Sequence, residues 1–170
     1  KVILDEEITP SPSKGKLEIL FEDEHLLIVN KPINMDTHPS SSADTSSLSN
    51  LVAYHFQQHG IFQKVRHIHR LDKDTSGAIL FAKHALSGAL LDRLLEKREI
   101  KRTYVALVEG IITINNGTIQ KPIGKDRHQS NKRVVAKTGQ HAITHFSVIE
   151  RFLEDNMTLV ELSLETGRTH

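Results

Sequence analysis

The chain has no cysteine and no tryptophan, only two tyrosines and six phenylalanines, and no long apolar run. Each absence excludes something. Without cysteine there is no disulfide framework and no thiolate metal site. That composition fits a reducing compartment, so a cytoplasmic location is expected. The longest apolar runs, LLIV at 26–29 and AILFA at 78–82, fall far short of the ~20 residues that cross a bilayer. The opening KVILDEEITP lacks the layout of a signal peptide, and no membrane is implied as a partner. There is no glycine-rich phosphate loop of Walker or dinucleotide type, so nucleotide hydrolysis and hydride transfer have no support.

Charge of one sign is also lacking: 22 basic residues face 21 acidic ones, for a net charge of +1. That balance alone does not point to nucleic acid, but its distribution does more. KPIGKDRHQSNKRVVAK (121–137) carries Lys121, Lys125, Arg127, Lys132, Arg133 and Lys137 against Asp126 alone. EKREIKRTY adds Lys97, Arg98, Lys101 and Arg102. Such segments track phosphates, or else form solvated strand edges where lysine blocks aggregation. Both readings stay open on composition.

A length of 170 residues suits one domain with a real core. Residues 1–16, ending TPSPSKGK, read as a linker or the tail of a small upstream domain, and 17–170 as the main domain. The chain opens on lysine and stops abruptly in LVELSLETGRTH, so it reads as part of a longer protein.

Periodicity places the elements. LEILFEDEHLLIVNKP is two apolar runs around an acidic turn, a β-hairpin closed by Lys31-Pro32. LSNLVAYHFQQHG puts Leu48, Leu51, Val52 and Phe56 on one helix face, with a Ser/Thr cap before it and Gly60 after. AILFAK is a buried strand. HALSGALLDRLLEKRE is a helix with Leu86, Leu90, Leu91, Leu94 and Leu95 at core spacing. KRTYVALVEGII, HAITHFSVIERF and MTLVELSLET are strands, and Asn116-Gly117 marks a turn. The total is seven or eight strands and two helices, an α+β sheet protein.

Three constellations carry chemistry. In HRLDKDTSG (69–77), Asp72 lies among His69, Arg70 and Lys73, cations able to hold a carboxylate ionised. Thr75, Ser76 and Gly77 can turn the backbone and donate hydrogen bonds to it. The same residues also suit a plain Asx turn. HIH at 67–69 with Asp72 could begin a metal site, His67 and His69 sharing one side of a strand; no HExxH and no second His/Asp cluster accompanies it. Arg168, after Gly167 at a strand end, can present its fork to a carboxylate or sit in a rim ion pair. Tyr104 can be a core aromatic with a wet hydroxyl, or a ring for stacking a base.

Together these segments resemble the RluA family of RNA pseudouridine synthases. HRLDKDTSG matches that family's HRLDxxTSG at all seven specified positions. KRTYVALVEG resembles its KxYxAxVxG motif, LETGRTH the start of a third, and NKPINMDTHP an N-terminal NKPxGxxxHP motif. GQHAITHFSVIERF fits the strand before the third motif. The resemblance covers residues 19–170, with the motifs in order. Asn34 stands where the family has glycine, a replacement that tolerates positive φ. The chain stops within the third motif.

The resemblance implies a bent mixed, mainly antiparallel sheet flanked by a few helices, C-terminally incomplete here, with 17–170 as a truncated catalytic domain. It implies Asp72 as the catalytic aspartate, Arg168 as its partner, and Tyr104 stacking on the uracil and serving in loss of the C5 proton. Arg70 would touch RNA, or fill the gap left by a flipped uridine, and Lys101, Arg102, Lys121, Lys125 and Arg127 would track the backbone. The reaction is a redox-neutral isomerisation, so no metal, nucleotide or organic cofactor is implied. The partner is RNA, ribosomal large-subunit RNA ahead of transfer RNA. No obligate protein partner is implied, and a monomer is the simplest state. An RNA-binding protein without catalysis and a metal-dependent hydrolase on His67, His69 and Asp72 are the rivals.

Overall fold

A computed structural model describes residues 9–125 and 133–165, and of Lys125 only the backbone. The chain divides into two compact units, Lys1–Lys97 and Arg98–His170.

The first unit contains β1 (Glu18–Glu22), β2 (Leu26–Lys31), α1 (Leu48–Gln58), β3 (Arg66–His67), β4 (Gly77–Ala82) and α2 (Ala85–Glu96). Its sheet runs β1-β2-β4-β3, every ladder antiparallel. The expected hairpin is present. Asp23 makes its turn, accepting hydrogen bonds from the N–H groups of His25 (2.7 Å) and Leu26 (2.8 Å), as aspartate does in tight turns. Leu27 and Val29 of β2, Ile79 and Phe81 of β4, and Leu48, Val52 and Phe56 of α1 are the heart of the core. The residues before the hairpin dock on α1: Ser13 N–H donates to the Asn50 carbonyl (3.1 Å), and Asn50 Nδ2 donates to the Ser11 carbonyl (2.8 Å).

The second helix differs from expectation. Leu86 and Leu90 are 68% and 54% exposed, and its buried residues are Ser87 and Gly88. A Cβ on Gly88 would lie 3.0 Å from Arg66 Cδ and 3.5 Å from the Ala82 methyl. The helix therefore approaches the sheet closely at Ser87 and Gly88; Leu91, Leu94 and Leu95 are half-buried, so the leucine spacing holds for them and fails for Leu86 and Leu90.

The second unit contains β5 (Thr103–Glu109), β6 (Asn116–Gln120), β7 (Ile123–Lys125), β8 (Arg133–Val135), β9 (Ile143–Phe152) and β10 (Met157–Leu164). One sheet runs β5-β10-β9-β6, and β7 pairs with β8, again antiparallel throughout. The predicted alternation in β5 holds: Tyr104, Ala106 and Val108 are half-buried while Val105 and Leu107 are exposed. Asn116-Gly117 opens β6 instead of forming a turn. Gly117 stands opposite Phe146, and a Cβ there would come 2.7 Å from the ring; the glycine serves a close approach.

The architecture is α+β and antiparallel, as expected, with ten strands among the described residues. The surplus is β3, β7 and β8, two or three residues each, too short for periodicity to register. No helix among the described residues is long and apolar enough to cross a membrane.

Candidate active site

Asp72 sits on the loop that enters β4, its side chain exposed. The backbone on both sides of it is held. Before it, Thr37 Oγ1 donates to the Leu71 carbonyl (2.8 Å) and accepts from the Leu71 N–H (3.2 Å). After it, Lys31 Nζ donates to the Lys73 carbonyl (3.1 Å). Thr75 N–H closes a turn on the Asp72 carbonyl (3.1 Å). Thus the hydroxyl-rich residues turn the backbone as expected, but the acceptor is the main-chain oxygen. No hydrogen bond among the described residues engages the Asp72 carboxylate, which is exposed.

Lys31 is the centre of this arrangement. It is completely buried, and its ammonium also donates to the carbonyls of Pro32 (3.0 Å) and Met35 (2.6 Å). Three charge-assisted bonds use all the protons an ammonium has. Burial pulls its pKa below the ordinary lysine value, while Asp36, Asp74 and Asp72 pull it back up. The loop it ties is tight: Asn34 takes φ 63°, the conformation for which asparagine substitutes for glycine. Thr37 is fixed in turn by α1. The N–H groups of Leu48 and Ser49, free at a helix start, donate to the Asp36 and Thr37 carbonyls (2.9 and 3.0 Å). The chain of restraint therefore runs from the α1 N-terminus through Thr37 and Lys31 to both neighbours of Asp72.

Neither Lys31 nor Thr37 was assigned a role from sequence. A signal existed for Lys31: it continues the inward alternation of Leu27 and Val29, which makes it a buried cation in need of acceptors.

The histidines are occupied separately. His67 stacks on His38, ring centroids 5.4 Å apart at 12°, while His69 Nε2 accepts from the Leu80 N–H at 3.4 Å. Among the described residues no three His, Asp or Glu side chains are grouped to hold a metal ion. Burial lowers the pKa of both stacked rings, and the Arg70 charge pushes each down further.

Of the remaining predicted residues, Arg70 is exposed beside this stack. Tyr104 belongs to the second unit, half-buried in β5 opposite Leu162 of β10. Lys101 and Lys121 are exposed and Arg102 half-buried. The backbone of Lys125 ends β7. Arg127 and Arg168 lie outside the described residues.

The chain belongs to the RNA pseudouridylate synthase family, whose model matches residues 25–170. It is 54% identical over 159 residues to an uncharacterized RNA pseudouridine synthase of Bacillus subtilis, YhcT, covering 94% of this chain and 53% of that protein. It is 39% identical over 155 residues to ribosomal large subunit pseudouridine synthase D of Pseudomonas aeruginosa, covering 91% and 48%. Among solved structures it resembles human RNA pseudouridylate synthase domain containing 1, with TM-score 0.75, 26% identity and coverage of 91% and 62%. The chain thus spans about half the length of the curated relatives it matches.

Proposed function

We propose that the protein isomerises uridine to pseudouridine in RNA, acting in the cytoplasm on large-subunit ribosomal RNA ahead of transfer RNA, with residues 17–170 belonging to its catalytic domain. The family and the name of the Pseudomonas relative support this reading. The observation that carries it is the fixing of Asp72 from both sides while its carboxylate stays open. A reacting carboxylate needs that combination, because catalysis rewards a group already aimed before substrate arrives.

In the reaction the C1′–N1 bond breaks, the uracil turns, C1′ bonds to C5, and the C5 proton leaves. Asp72 acts at the sugar, as nucleophile at C1′ or as base at C2′. Arg168 pairs with it and keeps it ionised. Tyr104 stacks on the uracil, its hydroxyl serving in removal of the C5 proton. The target is extruded from its stack, since a stacked base hides both reacting positions. Arg70 contacts the RNA there, and Lys101, Arg102, Lys121, Lys125 and Arg127 meet phosphates.

The test uses full-length protein and RNA carrying tritium at C5 of uridine. Release from ribosomal RNA that disappears in Asp72→Ala, with RNA still bound, is the expected result. Release from transfer RNA alone would move the substrate class, and RNA binding without release from either would defeat the enzymatic reading. Tyr104→Phe keeps the ring and removes the hydroxyl, so normal product formation would take that hydroxyl out of the mechanism. Near wild-type turnover in Arg168→Ala would break the proposed pair.

A further inference from the structure

Within the first unit lies a half-open cavity of about 810 Å³ that the proposed chemistry does not use. Its wall includes His38, His67 and His84, with Lys64, Arg66 and Asp92 also lining it. We propose that this cavity takes one unstacked nucleotide of the substrate RNA, next in space to the modified uridine, and so contributes to recognition of sequence context. The inference rests on the pseudouridine synthase reading and names a specificity site for it.

The donor set favours a base over a bare anion. Arg66 is already paired with Asp92, so its charge is largely matched. Burial and the nearby Arg70 disfavour protonation of His38 and His67. A free phosphate therefore meets little uncompensated positive charge. A base meets more. Neutral imidazoles carry a donor and an acceptor each, and the stacked His38–His67 pair presents flat rings. His84 has both nitrogens engaged, Nδ1 accepting from the Ser87 N–H (3.1 Å) and Nε2 facing His25 Nδ1 (3.0 Å), and offers only its ring. His38 is different: its Nδ1 is buried with no hydrogen-bond partner among the described residues. That nitrogen is closed off from the cavity, so a base entering there meets the flat ring of His38.

Position supports the assignment. His67 lies on the run that continues into Asp72, and His38 follows Thr37, which holds Leu71. The same Arg70 is felt electrostatically by both rings. The volume falls within the range of ordinary ligand sites and accommodates a nucleotide.

Two measurements on the full-length protein test it. A large-subunit ribosomal RNA transcript containing 4-thiouridine or 6-thioguanosine is irradiated on the wild-type protein, and cross-linked peptides are mapped. Cross-links to residues 38–40 or 63–67 are expected; cross-links confined to other segments overturn the proposal. Tritium release is then compared for wild type, His38→Ala and His38→Asn. The expected result is a KM raised about tenfold by His38→Ala, in the range of one lost base-stacking contact, with kcat within about twofold. Unchanged KM in both variants overturns the inference and leaves the enzymatic reading standing. Absence of release from the wild type instead overturns the enzymatic reading, and the cross-link map is read without turnover.

Discussion

The two units bury their side chains very differently. Of the fourteen buried apolar residues among those described, twelve belong to the first unit, and Ala142 and Val160 alone to the second. Both units leave apolar side chains half or more exposed, Leu20, Phe21, Leu86 and Leu90 in the first and Val105, Leu107, Ile119 and Ile149 in the second, but the second has almost no buried core beside them. The first unit places the Asp72 loop beside an apolar core and ties it with the buried Lys31. The second places Tyr104 on an open sheet whose order comes from strand pairing. Precision at Asp72 and at Tyr104 must therefore rest on different physics: buried, fully satisfied hydrogen bonds in one case, ladder register in the other.

The sharpest separation of these roles comes from Asp72→Ala. It removes an exposed carboxylate that makes no hydrogen bond among the described residues, so turnover should fall by at least on the order of 10²–10⁴-fold, the contribution of a positioned acid–base group. The melting temperature should stay within a few degrees, because exposed sites away from special features change stability little. Paired tritium-release and thermal-unfolding measurements check both halves, and a large stability loss would give the aspartate a structural role.

Lys31→Met should do the reverse. It leaves three carbonyls without a donor and costs about 3 kcal/mol, at the upper end for bonds made by a charged group. Urea unfolding of the full-length protein reads this, with Lys31→Arg losing less. A cost below about 1 kcal/mol would show that the first unit's loop is held by Thr37 alone.

Much of this contrast was legible in the amino-acid order. The hairpin, both helices and the long strands follow from period and turn chemistry, and Asn34 takes the positive φ its position demanded. The placing of Asp72 on a loop that runs into a buried strand was legible from the apolar run behind it. The parts that were not legible depend on distant neighbours. Leu86 and Leu90 were expected inside because helical spacing carries no information on how closely a helix approaches its sheet; Gly88 decided that. Gly117 read as a turn because nothing local shows that Phe146 lies opposite. The clamp on Asp72 was hidden because its acceptors are main-chain carbonyls, which every residue possesses.

The stacked histidines extend the contrast to pH. Their pKa values lie below the ordinary imidazole value of about 6.5. In the unfolded chain they take up protons as pH falls through that value; in the folded chain they do so only lower down. The unfolded state then binds more protons, so stability is complete above about 6.5 and declines on acidification toward the lowered folded values. Carboxylates such as Glu22, also lowered, act in a more acidic window. His67→Phe keeps a ring against His38 and Phe81 but cannot titrate, so it should flatten the decline over the interval just below about pH 6.5. Unfolding curves across that interval decide it, and an unchanged slope would assign the decline to other groups.

The smallest expected effect bears most directly on the second unit. Val105 is 63% exposed, so Val105→Thr should change unfolding free energy by no more than about 0.5 kcal/mol. The same exchange at Val160, which is 2% exposed, places a hydroxyl where no water reaches and should cost about 1–3 kcal/mol. Measured side by side in full-length protein, the two variants report how much of the sheet is truly open there. If Val105→Thr approached the cost of Val160→Thr, the face carrying Val105 and Leu107 would be buried in the whole protein. The contrast between a self-sufficient first unit and an open second one would then belong to these 170 residues and not to the whole protein.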